Sequence, residues 1–498
     1  MRIRIITTGS AKHAVQVVTK VGRDLVVHKH FGTYVTDPEK KRLVEQAEEY
    51  IQTNTKQTNL FADPPATWPL SDISIINSQP LYLYNLLVAA YDKLGFAGDP
   101  LIRDFVIARL YQPTSKRETS EVLEDFFDRP YSLPTIYRHL KLAISKGLKD
   151  QYQQALINYA RVGLNDPLHL VFYDVTTLAF TSQTKTTLKD FGYSKDHRSQ
   201  DTQVVVGLVV NQQGFPLYFD VFSGNTFEGG TFTLIAKGIQ KLLNCPELVV
   251  VADAGMLSQK NMDDLDKEGI KFVVGARISS LSQKMMSELS QTLGKNDKAS
   301  TDVPYKEYRL LADYSDKRAK KDAYDLTKQW ERAQKAMTKP DAITRRFRFL
   351  KGSKKTSYSL NSRLKEKAEL IAGIKGYLTN TQLDAFTITT RYHDLWRVEK
   401  AFRITKSDLE ARPIFLKLDE TIKAHITIVF AGLAIAKLLE IQTEISIHQI
   451  LKLTSRIFTH TIRNTKTNQT TTIKTAIPLK SLSLCGKLNE IYDLGTKW

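Results

Sequence analysis

The sequence predicts a multidomain α/β chain: a mixed sheet flanked by helices, interrupted by a long insertion and preceded by a mostly helical region. Three observations carry this. The chain has 498 residues, more than one hydrophobic core ordinarily organises. Between residues 168 and 277, short apolar runs of strand length alternate with segments of helical period. Before that block the apolar period is helical, and after it the composition turns strongly basic.

Residues 1–60 read as a small strand/helix region. "MRIRIITT", "AVQVVTKV" and "DLVVHKHFGTYV" alternate as strands. "TDPEKKRLVEQAEEYIQ" then turns helical, with Thr36 or Asp37 as cap and Pro38 in the first turn. The polar, proline-bearing "TNTKQTNLFADPPATWPLSD" reads as a linker. Residues 61–165 are helical and form the candidate DNA-binding region. There a helix ends near Phe127, a turn holds Pro130, and Ser132 can cap a second helix carrying Thr135, Tyr137, Arg138 and Lys141. This is helix-turn-helix spacing, although plain helical packing produces the same pattern.

In residues 166–280 the order is "LHLVFYDVTTLAF", "TQVVVGLVVN" and "PLYFDVFSG" as strands, then the helix "TFTLIAKGIQKLL". The strand "ELVVVADAGM", the helix "SQKNMDDLDKEG" and the strand "KFVVGAR" follow. Three successive strands, a helix, a strand, a helix and a strand is the order of an RNase H-like core. The apolar strands near 171 and 249 belong inside the sheet. Residues 281–380 are read as the insertion, 381–445 as the second part of the core, and 446–498 as a basic C-terminal tail.

Lys and Arg number 71 against 53 Asp and Glu, a formal charge of +18. Such a surplus points to a polyanionic partner, nucleic acid before a membrane surface. Cys245 and Cys485 alone make no disulfide framework and no zinc cluster, and the ten histidines show no ligand pairing. "MRIRIITTGS" lacks the apolar run of a signal peptide. "HITIVFAGLAIAKLLE" is interrupted by Lys437 and is shorter than the roughly 20 residues of a bilayer span, so a buried helix is expected. These features predict a cytoplasmic protein with no membrane partner.

Three carboxylates stand out. Asp174 lies among apolar strand residues, where burial is costly unless the charge is paired or binds a cation. Asp253 lies where a buried strand exits, and Gly255 permits a sharp turn after it. In "RYHDLWRVEKAFRITKSDLEARP", read as one helix, Tyr392, Glu399 and Lys406 recur every seven residues and Arg403 is four beyond Glu399. Each alone also fits a bland reading: a strand-end pair, a turn aspartate, a surface Glu–Arg bridge. Together, converging carboxylates would repel unless they share divalent cations, and oxygen-only ligands suit Mg²⁺ or Mn²⁺. Two such ions roughly 3.5–4 Å apart serve phosphoryl transfer, with Tyr392, Arg403 and Lys406 on phosphate.

At these positions the sequence resembles the insertion-sequence transposases of the DDE superfamily, in the sub-group with the signature Tyr-x2-Arg-x3-Glu-x6-Lys (YREK). Tyr392, Glu399 and Lys406 stand at the signature spacing, and Asp174 in "YDVTT" and Asp253 in "DAGM" match the two aspartates. The signature Arg is replaced by Leu395, with Arg391, Arg397 or Arg403 as possible substitutes. About 145 residues separate Asp253 from Glu399, as the family's long insertion requires. The resemblance implies a bacterial, nucleoid-associated enzyme that cleaves DNA at terminal inverted repeats and joins the 3′-OH to target DNA. It implies two Mg²⁺ ions, with Mn²⁺ able to substitute, and a synaptic complex of a homodimer or higher. Lys195 and Arg198 are further DNA-contact candidates beside Arg138 and Arg397. Trp396 either anchors the core or stacks on a base, and His393 is a bystander or a proton relay. Two rival functions keep the fold: an RNase H-like nuclease or resolvase that cuts without joining, and a non-catalytic DNA-binding regulator.

Overall fold

The computed structural model describes the chain except residues 10–11, 22–23, 55–67, 69, 97, 195–199, 257, 339–345, 354–355, 412–413, 415 and 495–498. Most of the expected linker therefore lies outside the described residues. The chain divides into two compact units, Met1–Ser74 with Arg463–Gln469, and Ile75–Ile462 with Thr470–Trp498.

In the first unit, β1 (Arg2–Thr7), β2 (His13–Val21) and β3 (Asp24–Tyr34) form an antiparallel sheet in that order. Val15 and Val17 of β2 share one face and pack with Leu43 and Ala47 of α1 (Asp37–Asn54). Glu39 accepts the Val35 and Thr36 N–H groups at 3.1 and 3.2 Å, so an acidic side chain within the first turn secures the helix start.

The second unit begins within β4 (Ile73–Gln79) and continues as a helical layer: α2 (Leu81–Lys93), α3 (Pro100–Tyr111), α4 (Lys116–Phe127), α5 (Leu133–Ser145) and α6 (Leu148–Gly163). The α4–α5 hairpin turns at Asp128, which is left-handed at φ 56°. Next come β5 (Leu170–Ala179), β6 (Gln203–Val210), β7 (Pro216–Ser223), α7 (Glu228–Leu243), β8 (Val249–Ala252), α8 (Gln259–Lys267), β9 (Lys271–Ala276) and α9 (Gln283–Leu293). β10 (Ser300–Tyr305), β11 (Tyr308–Tyr314), α10 (Asp316–Met337), β12 (Leu350–Ser353), β13 (Thr356–Leu360), α11 (Ser362–Leu370) and β14 (Ile374–Thr379) complete the middle of the chain. One eight-stranded sheet has the order β10-β11-β14-β9-β8-β5-β6-β7. β5 pairs antiparallel with β6 and parallel with β8, which pairs parallel with β9. The sheet is mixed and flanked by helices.

Residues 281–380 do not stand apart as one insertion. β10, β11 and β14 extend the main sheet beyond β9, while α10, the β12–β13 hairpin and α11 gather a small core of Leu326, Ala333, Phe349 and Ala368. The buried run of β11, "YRLLADY", joins the sheet, and the basic composition around it conceals that signal. Nor is 446–498 only a basic tail. α15 (Ile447–Thr454), β15 (Thr459–Asn464), β16 (Thr470–Lys474) and α16 (Leu482–Tyr492) are ordered, with β16-β15-β4 forming a small sheet. Leu484, Cys485, Leu488 and Tyr492 of α16 are buried at helical spacing.

Before α15 come α12 (Ala385–His393), α13 (Trp396–Arg403) and α14 (Asp419–Thr443). α14 is long and apolar enough to cross a membrane by length and composition, yet it is almost wholly buried among α2, α3, α5, α6 and β7. Its two buried charges are matched: Glu440 accepts from Lys437 at 3.0 Å and from Lys400 of α13 at 3.0 Å. Glu440 also accepts the Ile447 N–H at 3.1 Å. Burial raises the Glu440 carboxyl, but Lys437 and Lys400 outweigh it and hold the group below its ordinary value. Glu440→Gln leaves the Lys437 ammonium buried without a counter-charge, so unfolding in urea at neutral pH should cost about 3 kcal/mol less. Because the folded-state value is depressed, the ionised group stabilises above the ordinary value. That increment should vanish in the wild type as pH falls below about 4.5 and through the folded value.

Candidate active site

β5 and β8 run side by side, with Tyr173 paired to Ala252. One residue on, Asp174 of β5 and Asp253 at the end of β8 occupy neighbouring positions. The β5 pleat decides the face. Tyr173 donates to or accepts from Thr231 Oγ1 at 2.6 Å and stacks on Phe232, so that face meets α7. Thr176 and Leu178 share the opposite face with Asp174 and meet Phe402, Thr405 and α14 residues. Asp174 Oδ1 accepts the Val175 N–H at 2.7 Å. Asp253 is exposed, and its Oδ1 accepts the Tyr392 hydroxyl at 2.8 Å.

The expected single helix over 391–413 is in fact three pieces. α12 ends at His393, a tight turn at Asp394 and Leu395 follows, and α13 begins at Trp396. After Arg403 the chain widens into a π-helical turn over Ile404–Asp408, where Lys406 lies. Seven-residue spacing therefore does not put Tyr392, Glu399 and Lys406 on one straight line. Tyr392 instead reaches Asp253 from α12, while α13 packs across β5 and β6 and carries Glu399 on its exposed side. Leu395, at the signature Arg position, is buried and so cannot hold phosphate. Arg397 and Arg391 both flank Asp394, at 3.2 and 3.8 Å. Trp396 is 50% exposed with Arg397 against its ring at 5.1 Å, so it is not a core anchor. Val398, Ala401 and Phe402 supply the core face of α13.

Sequence reasoning missed Lys375. It sits on β14, with Nζ 4.4 Å from the centre of the Tyr392 ring. Burial, then Arg318, pushes its ammonium below the ordinary lysine range; Asp313, Asp253 and Glu399 push the other way. Burial, then the Asp253 charge, raises the Tyr392 phenol. Both therefore sense the charges of Asp253 and Glu399. Behind Lys375, Tyr377 donates to Asp313 Oδ1 at 2.7 Å and Arg318 lies 3.3 Å from the same carboxylate. Burial, then Lys375, lowers His393, leaving a neutral imidazole at neutral pH. The cue available in sequence was a lone lysine in a strand, which carries no spacing signal.

Arg403 is exposed, and Arg138 is exposed on α5 beside Tyr137. Ser132 occupies the α5 N-cap position but caps with no side-chain bond to the helix backbone; its hydroxyl donates to Thr135 Oγ1 at 3.0 Å. Lys141 lies 3.8 Å from Glu420 of α14. Lys195 and Arg198 lie outside the described residues.

In kind, the donors fit a hard divalent cation: carboxylate oxygens with neither thiol nor imidazole among them. In position, the two aspartates are neighbours. Among the described residues, however, no three His, Cys, Asp or Glu side chains stand close enough to hold a metal ion. Glu399 is exposed on α13.

Gly275 of β9 sets how closely Tyr392 can approach. A Cβ there would lie 2.4 Å from the Tyr392 hydroxyl and 3.1 Å from Ala254 Cβ. Gly275→Ala should destabilise by about 1–3 kcal/mol in urea unfolding. Adding Tyr392→Phe, which removes the colliding oxygen, should recover part of that loss, although the Phe change alone costs about 1 kcal/mol.

Residues 167–434, more than half of the chain, match the family model of the transposase DDE domain. No curated protein matches. Among solved structures, similarity extends to a piggyBac transposase synaptic complex with hairpin DNA, at 9% identity, TM-score 0.40, covering 76% of this chain and 79% of that one. A Mos1 transposase paired-end complex aligns at 12% identity and TM-score 0.16, covering 49% of this chain and 68% of that one. Likenesses this distant carry no argument; the family match does. The chain that sets Asp174 beside Asp253 belongs to the transposase DDE domain family.

Proposed function

We propose that this protein cleaves DNA at the ends of a mobile element and joins the freed 3′-OH to target DNA. The observation that carries the reading is the β5–β8 register, which makes Asp174 and Asp253 neighbours on the sheet face that α13 covers. In this reading the β7-β6-β5-β8-β9 portion is an RNase H-like core, and Asp174, Asp253 and Glu399 hold two Mg²⁺ ions, with Mn²⁺ as substitute. Such ions, when bound, activate the attacking oxygen and stabilise the leaving one.

The protein's own groups do the positioning. Tyr392 occupies one oxygen of Asp253 and so turns the other outward. Lys375, held at the Tyr392 ring, balances carboxylate charge before DNA arrives and meets phosphate afterwards. Arg403 and Lys406 contact the backbone beyond the cut, and Trp396 with Arg397 offers a flat platform for a base. Arg138 on α5 contacts DNA further out, as do Lys195 and Arg198. The charge surplus supports a strongly salt-dependent affinity for DNA. The partners are terminal inverted repeats, target DNA and at least one further copy of the chain, in a bacterial cytoplasm at the nucleoid.

The test uses purified protein, Mg²⁺ and DNA carrying the repeats that flank its gene. Wild type should cut and join. Asp174→Asn, Asp253→Asn and Glu399→Gln should bind the ends and do neither. Lys375→Met should cut about 10²-fold more slowly, as expected for losing one charge-stabilising group. Cutting without joining assigns a nuclease, and binding with no cutting in Mg²⁺ or Mn²⁺ assigns a regulator.

A further inference from the structure

A second concentration of basic groups lies away from the carboxylates. α3, the start of α4, α14 and the segment after the π-helical turn enclose a cavity of about 560 Å³. Its walls include Arg109, Lys116 and His425, which are only 6%, 7% and 5% exposed. Among the described residues, no buried carboxylate lines this cavity. The two acidic side chains on the wall, Glu118 and Glu410, are both exposed, and Glu118 already accepts the Ser115 N–H at 3.3 Å as part of the α4 capping box.

The hydrogen bonds leave donors to spare. His425 Nε2 donates to the Ala411 carbonyl at 3.2 Å, so Nδ1 is the acceptor and receives the Lys116 ammonium at 3.3 Å. Among the described residues Lys116 has no other hydrogen-bond acceptor; its ammonium also lies 5.5 Å from the Phe105 ring centre. Arg109 gives one N–H to the Thr114 carbonyl at 2.9 Å. The twelve-residue α4 turns its N-terminus, the positive end of its dipole, to the same cavity. Burying two cations together with only the exposed Glu410 carboxylate to offset Arg109 is costly, and a bound oxyanion reduces the cost by accepting the unused donors. Tyr137, 42% exposed on α5, stands on the cavity wall with a ring available to a sugar or base.

We propose that this cavity is a phosphate-binding site, with Arg109, Lys116 and the α4 N-terminus holding the phosphate and Tyr137 flanking whatever is attached to it. The space is large enough for a nucleotide, and bound DNA is the source the charge balance favours. Only that choice of source rests on the proposed function; the phosphate chemistry does not.

The experiment uses the full chain and three proteins: wild type, Lys116→Met and Lys146→Gln. Met follows the course of the lysine stem without its charge, so the buried position keeps its packing. Lys146, exposed at the end of α5 and not on the cavity wall, is the control for a general loss of charge. Thermal unfolding is followed in inorganic phosphate against chloride of equal ionic strength, and duplex affinity is measured across a salt series. Phosphate should raise the midpoint of wild type and Lys146→Gln but not that of Lys116→Met. Duplex affinity should fall about 3- to 10-fold in Lys116→Met, with the salt slope shallower by about one phosphate. Loss of both responses assigns the site to DNA, and loss of the phosphate response alone assigns it to a free phosphate. Lys116→Met behaving as wild type in both measurements overturns the proposal. Failure of the strand-transfer reading would show instead as wild type that does not cut, an outcome independent of the Lys116 comparison.

Discussion

The parallel pairing of β5 with β8 is the constraint from which the rest of the site follows. Parallel strands fix two chain segments in one direction and one register, here Tyr173 against Ala252. Asp174 and Asp253 then become neighbours through backbone hydrogen bonds alone, without help from any side chain. The same pairing commits the odd positions of β5 to α7 and the even ones to α13 and α14. A one-residue slip would send Asp174 to the α7 face and empty the site. Burial of the strands on both faces makes that slip costly, because Phe172, Tyr173, Val204 and Val250 would all lose their partners.

The helical side answers with irregularity. A straight helix from 385 to 408 could not both deliver Tyr392 to the end of β8 and lay Phe402 on Thr176 and Leu178. The turn at Asp394 and Leu395 separates the two tasks, and the π-helical turn shifts Lys406 relative to Glu399. Lys400 then ties α13 to Glu440, so the stretch bearing Glu399 is anchored to α14, the most deeply buried helix.

Much of this was legible in sequence, and the reasons differ by residue. Asp174 and Asp253 were visible because a carboxylate inside an apolar strand is chemically conspicuous. The strand order from 168 to 277 was visible because its apolar runs are short and well separated. The break at Asp394–Leu395 was not, because neither residue type forbids a helix. Lys375 was hidden because its role comes from β14 inserting between β9 and β11, a pairing of strands far apart in sequence. Residues 281–380 looked like a separate piece because their charge masks three strands that belong to the main sheet. Residues 446–498 looked like a tail because basic surface residues outnumber the few apolar ones of α16 that reach the core.

α14 closes both the helical layer and one face of the sheet, yet it is among the last elements to be synthesised. Until it emerges from the ribosome, β5, β6 and β7 have a bare face, and α13 has nothing to hold Lys400. A chain cut short before residue 419 would keep the β5–β8 pairing but leave one sheet face uncovered. Such a fragment, with a bare apolar sheet face, is an aggregation risk.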